Sequence, residues 1–270
     1  MSYKQSGGGG RKQQKPREQQ SEQVPHGLGG DQVEGRQAVK ELLAVGRRRV
    51  KAVYLSMSVD SSPVIEEIIE LAGPLLRRVP AEKLVSMARC EGHQGVVANA
   101  APLRAADLDE LLADPTAFLI ALDGVTDPGN LGAILRSAAA FGATGVVLPK
   151  HRSAHVTPTV AKAAAGAIEH LEITQVSGIG SSMERAKRAG VWTVGLAACG
   201  KTSIENLTVA DAPVMLVVGS EGEGLSRLVE QRCDVVAFIP IASTTESLNA
   251  STAAAIACHE VARRRRAAAG

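Results

Sequence analysis

The chain has 270 residues, long enough for one large domain or two modest ones, and 45% of them are hydrophobic, enough for a sizeable core. Aromatic residues make up only 2%, so that core is aliphatic and few rings are available to stack on nucleic-acid bases. The net charge of +2 is unevenly placed: the first thirty residues hold five basic side chains against two acidic ones, so the rest is slightly acidic and net charge gives no argument for a nucleic-acid partner.

Residues 1–31 are rich in glycine, glutamine and basic side chains and show no apolar periodicity. They cannot bury enough surface to offset ordering entropy, and a disordered basic tail is predicted. From Val33 the pattern changes. Helices are predicted at 37–45, 63–71 and 81–88 and strands at 50–55, 75–79 and 95–98, with Gly46 stopping the first helix. This is a small α/β unit of domain size. Its basic runs, Arg47-Arg48-Arg49-Lys51 and Arg77-Arg78, read as solvated faces or as grips on a phosphate backbone. A boundary near Pro102 divides the chain into units 32–103 and 104–270.

The second unit opens with a short charged helix at 105–112. Strands follow at 117–122, 145–148, 171–176, 191–196, 214–218 and 235–239, and helices at 131–141, 160–168, 181–189 and from 248 onward. Strands alternating with helices imply an α/β fold with a mostly parallel sheet. The last helix ends in four arginines, 263–266, which complement its dipole or contact RNA.

The most informative stretch is 214–251. Two apolar strands each end in a loop of glycine, hydroxyl, acidic or amide residues, and strand C-termini facing helix N-termini are where open α/β sheets bind small polar ligands. The plain alternative is a pair of ordinary strand–loop–helix connections.

Other motifs are weaker. Residues 195–202 fit the pattern of a phosphate-binding loop, G-x-x-x-x-G-K-[ST], but the next strand arrives about ten residues later, leaving room for only one helical turn. No G-x-G-x-x-G follows a strand, which weakens a dinucleotide site. Cys90 and His93 lack a second pair of ligands, and Cys258 and His259 are adjacent on a helix and face different ways, so no metal site is implied. The four scattered cysteines suit a reduced, cytoplasmic setting, and no apolar run reaches membrane-spanning length.

The ordered combination of three segments carries a resemblance. Residues 122–137, LDGVTDPGNLGAILRS, resemble the first motif of the SpoU (TrmH-type) RNA ribose methyltransferases; residues 218–224 resemble their second and 239–253 their third. Residues 92–98, GHQGVVA, resemble part of the RNA-substrate-binding domain attached to many members. The third motif departs slightly, with Ala242 and the three residues after it where glycine is common and Ala250 where valine is common.

The resemblance implies a SPOUT methyltransferase domain with a trefoil-knotted C-terminal segment, S-adenosylmethionine as methyl donor without a metal, and a homodimer. The implied reaction is 2′-O-methylation of a ribose, a guanosine of 23S ribosomal RNA. The same pattern would suit a tRNA ribose methyltransferase, an antibiotic-resistance rRNA methyltransferase, or an RNA-binding assembly protein that kept the fold. By the family's pattern, Gly219, Ile239 and Leu248 hold the donor through backbone groups, Leu196, Ala197 and Ala198 form another wall, and Glu221 and Gly222 adjoin it. Glycine at 219 would let backbone approach the ligand closely. Asn130, Arg136, Glu221, Ser247 and Asn249 line the reacting side. Arg136 stays protonated in nearly any protein setting, so it reads as a clamp on an RNA phosphate that also stabilises alkoxide charge, and not as a base.

Overall fold

A computed structural model of the chain describes residues 28–151, 155–242 and 247–269. The predicted tail lies outside these except at 28–31, and there the expectation fails. Leu28 is buried, Gly29 bridges to Val156, and the Gly30 amide donates to the Val156 carbonyl at 2.9 Å.

The first unit runs β1 (Gln32–Glu34), α1 (Arg36–Val45), β2 (Val50–Ser56), α2 (Pro63–Ala72), β3 (Leu76–Val79), α3 (Ala81–Met87) and β4 (Val96–Ala100). Its sheet has the order β1-β4-β2-β3, with β4 antiparallel to β1 and β2, and β2 parallel to β3. The second unit runs α4 (Leu108–Leu112), β5 (Phe118–Asp123), α5 (Pro128–Ala140), β6 (Gly145–Pro149), α6 (Pro158–Ala163), β7 (Glu172–Val176), α7 (Ile179–Arg188), β8 (Trp192–Leu196), β9 (Thr202–Ser203), β10 (Val214–Gly219), α8 (Arg227–Arg232), β11 (Val235–Phe238) and α9 (Ala250–Ala269). Its seven strands are ordered β7-β6-β5-β10-β8-β11-β9, and every pairing is parallel. The sheet grows outward from β5 to β7. The chain then crosses to the other side of β5, and β10 fills the gap between β5 and β8.

Local chemistry starts the helices where the chain requires them. Ser62-Pro63, Asp127-Pro128 and Thr157-Pro158 each place a capping oxygen before a proline. Ser62 Oγ accepts from the Ile65 amide at 3.4 Å, Asp127 Oδ1 from Asn130 at 2.7 Å and Thr157 Oγ1 from Val160 at 3.4 Å. Helix α1 begins differently. Gly35 has no side chain to cap it, so Gln94 Oε1, from a loop 58 residues on, accepts from the Arg36 amide at 3.0 Å.

Helix α6 ends at Ala163, five residues before the predicted end. Gly166 adopts φ +83°, and a Cβ there would meet Glu41 Cβ at 2.5 Å, so the chain leaves the helix to let α1 approach. Helix α9 begins at Ala250, because Asn249 is its cap. Asn249 Oδ1 accepts from the Ser251 amide at 2.8 Å and from the Ser251 hydroxyl at 2.6 Å.

One apolar core runs through both units. It joins Val39 and Leu42 of α1 to Ile134 and Leu135 of α5, Val160 of α6 and Ile168. Across this junction Arg48 is buried against Glu169, with side-chain exposures of 7% and 2%, and also donates to the carbonyls of Gly30 and Ala101. Arg47 pairs with Glu172. Both arginines therefore tie the units together, Arg48 from a buried position and Arg47 from an exposed one. The C-terminal arginines are also largely engaged. Arg263 and Arg264 bind Glu260, and Arg265 donates to the carbonyls of Thr116, Ala117, Ala210 and Ala212.

Candidate functional site

Parallel strands put their C-terminal loops at one end of the sheet, and the loops leaving β8, β10 and β11 together enclose a cleft of about 370 Å3. Its size is within the range of small-ligand and cofactor sites, roughly 300–1,000 Å3. Leu196, Ala197 and Ala198 form one wall and Ile239, Ser247 and Leu248 another. Gly219, Glu221 and Gly222 line the side made by the loop after β10. The apolar walls would hold a flat ring, and the strand-end loops offer backbone donors and acceptors for its edge. The residues present fit an adenosyl group.

The loop after β10 folds back on itself. The Ser220 amide donates to the Gly224 carbonyl at 3.0 Å, and the Gly224 amide to Ser220 at 3.1 Å. A Cβ on Gly219 would lie 2.1 Å from the Gly224 carbonyl carbon. Glycine is required at 219 by this return of the chain, a reason that the sequence reading, which looked to a ligand's approach, did not supply. Asp123, at the end of β5, anchors the far side of the loop by accepting from the Ser226 amide at 2.8 Å.

The three motif segments meet at one side chain. Asn249 Nδ2 donates to Asn130 Oδ1 at 3.0 Å and also to Glu221 Oε1. Its Oδ1 meanwhile caps α9. The amide thus ties the start of α5, the loop after β10 and the start of α9, bringing together residues 119 and 28 positions apart. Asn130 is 8% exposed, fixed by the Asp127 cap, and its Nδ2 has no protein partner among the described residues.

Arg136 stands apart. It is exposed on α5, does not line the cleft, and has no hydrogen bond or ion pair among the described residues. Every other candidate residue lines the cleft or belongs to the Asn130–Asn249–Glu221 cluster. Sequence reasoning missed Cys199, Glu223 and Glu230, which also line the cleft. Glu230 lies on α8, whose six residues are too short to show a helical period.

The rejected motifs have structural explanations. Lys201 and Thr202 of the phosphate-loop match lead into β9, which pairs with β11, and a Cβ on Gly200 would meet the Ala237 carbonyl carbon at 2.7 Å. Only a 3-10 turn of three residues, Ile204–Asn206, follows, and not a helix of useful length. Among the described residues no group of three or more His, Cys, Asp or Glu is placed to hold a metal. Burial, reinforced by the Glu34 carboxylate, pushes the Cys90 thiol up to about 12, so it remains a donor to Glu34 Oε2 at 3.1 Å. Burial likewise pushes Cys258 up to about 12.

Comparison with known proteins decides the family. The model described as SpoU rRNA Methylase family matches residues 117–259, and one described as RNA 2′-O ribose methyltransferase substrate binding matches residues 32–106. The chain belongs to the SpoU methylase family. This RNA methyltransferase is 40% identical to a putative TrmH family tRNA/rRNA methyltransferase, YacO, of Bacillus subtilis, over 87% of the chain and 96% of the relative. It is 42% identical to an uncharacterized tRNA/rRNA methyltransferase of Mycobacterium marinum, over 86% and 76%. Among solved structures, the SpoU methyltransferase AviRb of Streptomyces viridochromogenes, in complex with AdoMet, matches with a TM-score of 0.73. Its identity is 26%, over 87% of this chain and 90% of that one. An AdoMet-bound rRNA methyltransferase of Sinorhizobium meliloti matches at 0.71, with 26% identity over 86% and 87%. S-adenosylmethionine is thus the methyl donor of this SpoU methylase. No helix among its described residues is long and apolar enough to cross a membrane.

Proposed function

We propose that this SpoU methylase transfers a methyl group from S-adenosylmethionine to a ribose 2′-hydroxyl, that of a guanosine in 23S ribosomal RNA. The observation that carries this reading is the convergence of the three motif segments on Asn249, beside a cleft of cofactor size. In the same reading residues 32–103 engage RNA while 104–270 carry out the chemistry, in a cytoplasmic homodimer with its sites near the subunit interface. A trefoil-knotted C-terminal segment is part of the proposal, and the insertion of β10 between β5 and β8 supports it.

The donor, when bound, supplies a methyl group already activated on a cationic sulfur. The protein must therefore align the hydroxyl and manage its proton. Asn130 presents an amide donor that the protein leaves unpaired, held rigid by its own bond to Asn249. Glu221, locked by the same asparagine, fixes the loop that borders the cleft. Arg136 keeps its guanidinium free for an incoming RNA phosphate, and there it also stabilises negative charge developing on the ribose oxygen. Mapping ribose methylation in 23S rRNA and in tRNA from cells with and without the protein tests the target. One guanosine should lose its methyl group in the deletion strain. A loss confined to tRNA would move the target there, and an unchanged map would remove both.

A further inference from the structure

Three carboxylates line the cleft, Glu221, Glu223 and Glu230, and among its described lining residues there is no lysine, arginine or histidine. Several acids elsewhere in the fold have a cationic partner, while buried Glu34 is held by neutral donors alone. Glu169 has Arg48, Glu260 has Arg263 and Arg264, and Asp234 has Lys187. Glu221 is bound to Asn249. Glu230 is half-buried, and the only partner of its carboxylate among the described residues is the Cys199 thiol, donating at 3.5 Å. Glu223 makes no side-chain bond among the described residues and sits in the same loop as Glu221. The cleft thus carries negative charge with no cation among its described lining residues, half-buried at Glu230 and exposed at Glu223.

S-adenosylmethionine has a sulfonium and an ammonium against one carboxylate, a net single positive charge. In the transfer the methyl–sulfur bond breaks with its electron pair left on sulfur, a carbon–oxygen bond forms, and the hydroxyl proton departs. The thioether product is neutral overall. Donor and product share every other group, so a fixed negative charge in the cleft separates them by charge alone.

We propose that Glu230, together with Glu223, acts as a charge filter that makes the cleft prefer the cationic donor over the neutral product. The inference rests on the reading that the donor occupies this cleft. Anionic groups near the sulfonium hold the ground state at least as well as the transition state, in which the positive charge is fading. They therefore contribute nothing to the methyl-transfer step itself. What they change is exchange: the donor is drawn in, and the product is released once its charge is gone.

Titration calorimetry on the full chain tests this with three ligands: S-adenosylmethionine, its amine analogue sinefungin, which keeps the positive charge, and S-adenosylhomocysteine. The native protein should bind the two cationic ligands about tenfold more tightly than the neutral one at low salt. Glu223→Gln/Glu230→Gln should shrink that ratio to about twofold by weakening only the cationic ligands, and Glu230→Lys should reverse it. An equal loss for all three ligands would show contact with the shared adenosine or amino-acid groups and overturn the filter. So would an unchanged ratio in variants that melt like the native protein. If the native protein bound none of the three, the assignment of the cleft itself would fall, whereas binding with an unaltered ratio overturns only the filter.

Discussion

In the proposed mechanism Arg136 and Asn249 divide the work of the site, and each has its own test. Arg136 is exposed and unpartnered, so Arg136→Ala should fold and bind S-adenosylmethionine as the native protein does, while single-turnover methyl transfer falls about a hundredfold or more. Arg136→Lys keeps the charge but loses the planar fork, and should also be severely impaired. Raising the pH should not restore the alanine variant, because hydroxide can replace a base but not a clamp. Substantial recovery at high pH would make Arg136 the base after all. Asn249 serves both stability and geometry. Asn249→Ala removes the α9 cap, at a cost of about 1 kcal/mol, and also unties Asn130 and Glu221. Asn249→Ser keeps a capping oxygen but has no amide to donate. It should recover most of the lost thermal stability and little of the activity. If the serine variant regained both, the cap alone would be what matters.

At the scale of elements, Gly219 gives the clearest prediction. Its Cβ position is filled by the returning chain at Gly224 and Leu225, so Gly219→Ala should lower the melting temperature or prevent folding before any effect on cofactor affinity can be read. A Gly219→Ala protein that melted normally would refute this account of the loop. The same loop shows what the sequence made legible. Its glycines and acids after an apolar strand pointed to a ligand site, and the cap–proline pairs at 62, 127 and 157 announced helix starts. Elements fixed by tertiary contact were not legible. Helix α6 stops because α1 approaches Gly166, and the alanine-rich sequence there reads as continuous helix. Strand β9 has two residues and exists only through its pairing with β11, while β1 has three and is held by its pairing with β4. The donors' partners were equally hidden: nothing local in Arg47 or Arg48 shows that their carboxylates come from 172 and 169.

The whole molecule consists of two sequence units that share one core at their junction. Arg48→Met alone would leave Glu169 buried without its cation, a change that costs about 3–5 kcal/mol. Arg48→Met/Glu169→Leu should be far less destabilised than either single variant, and denaturant unfolding of the four proteins measures the difference. Near-additive losses would mean that the pair does not couple the units. The shared core also bears on the proposed division of labour. Removing residues 32–103 would uncover α6 and the 167–170 turn, which pack on β1 and α1, so RNA affinity is better tested by changing exposed Arg77 and Arg78 than by truncation. The central claim is that the cleft and the Asn249 junction form a ribose methyltransferase site, and one assay addresses it directly. The purified protein is incubated with methyl-labelled S-adenosylmethionine and unmodified 23S rRNA, and the RNA is digested to nucleosides. The label should appear in 2′-O-methylguanosine with the native protein and be nearly absent with Arg136→Ala. Label in a base methyl group, or none in either RNA or nucleoside, would contradict it.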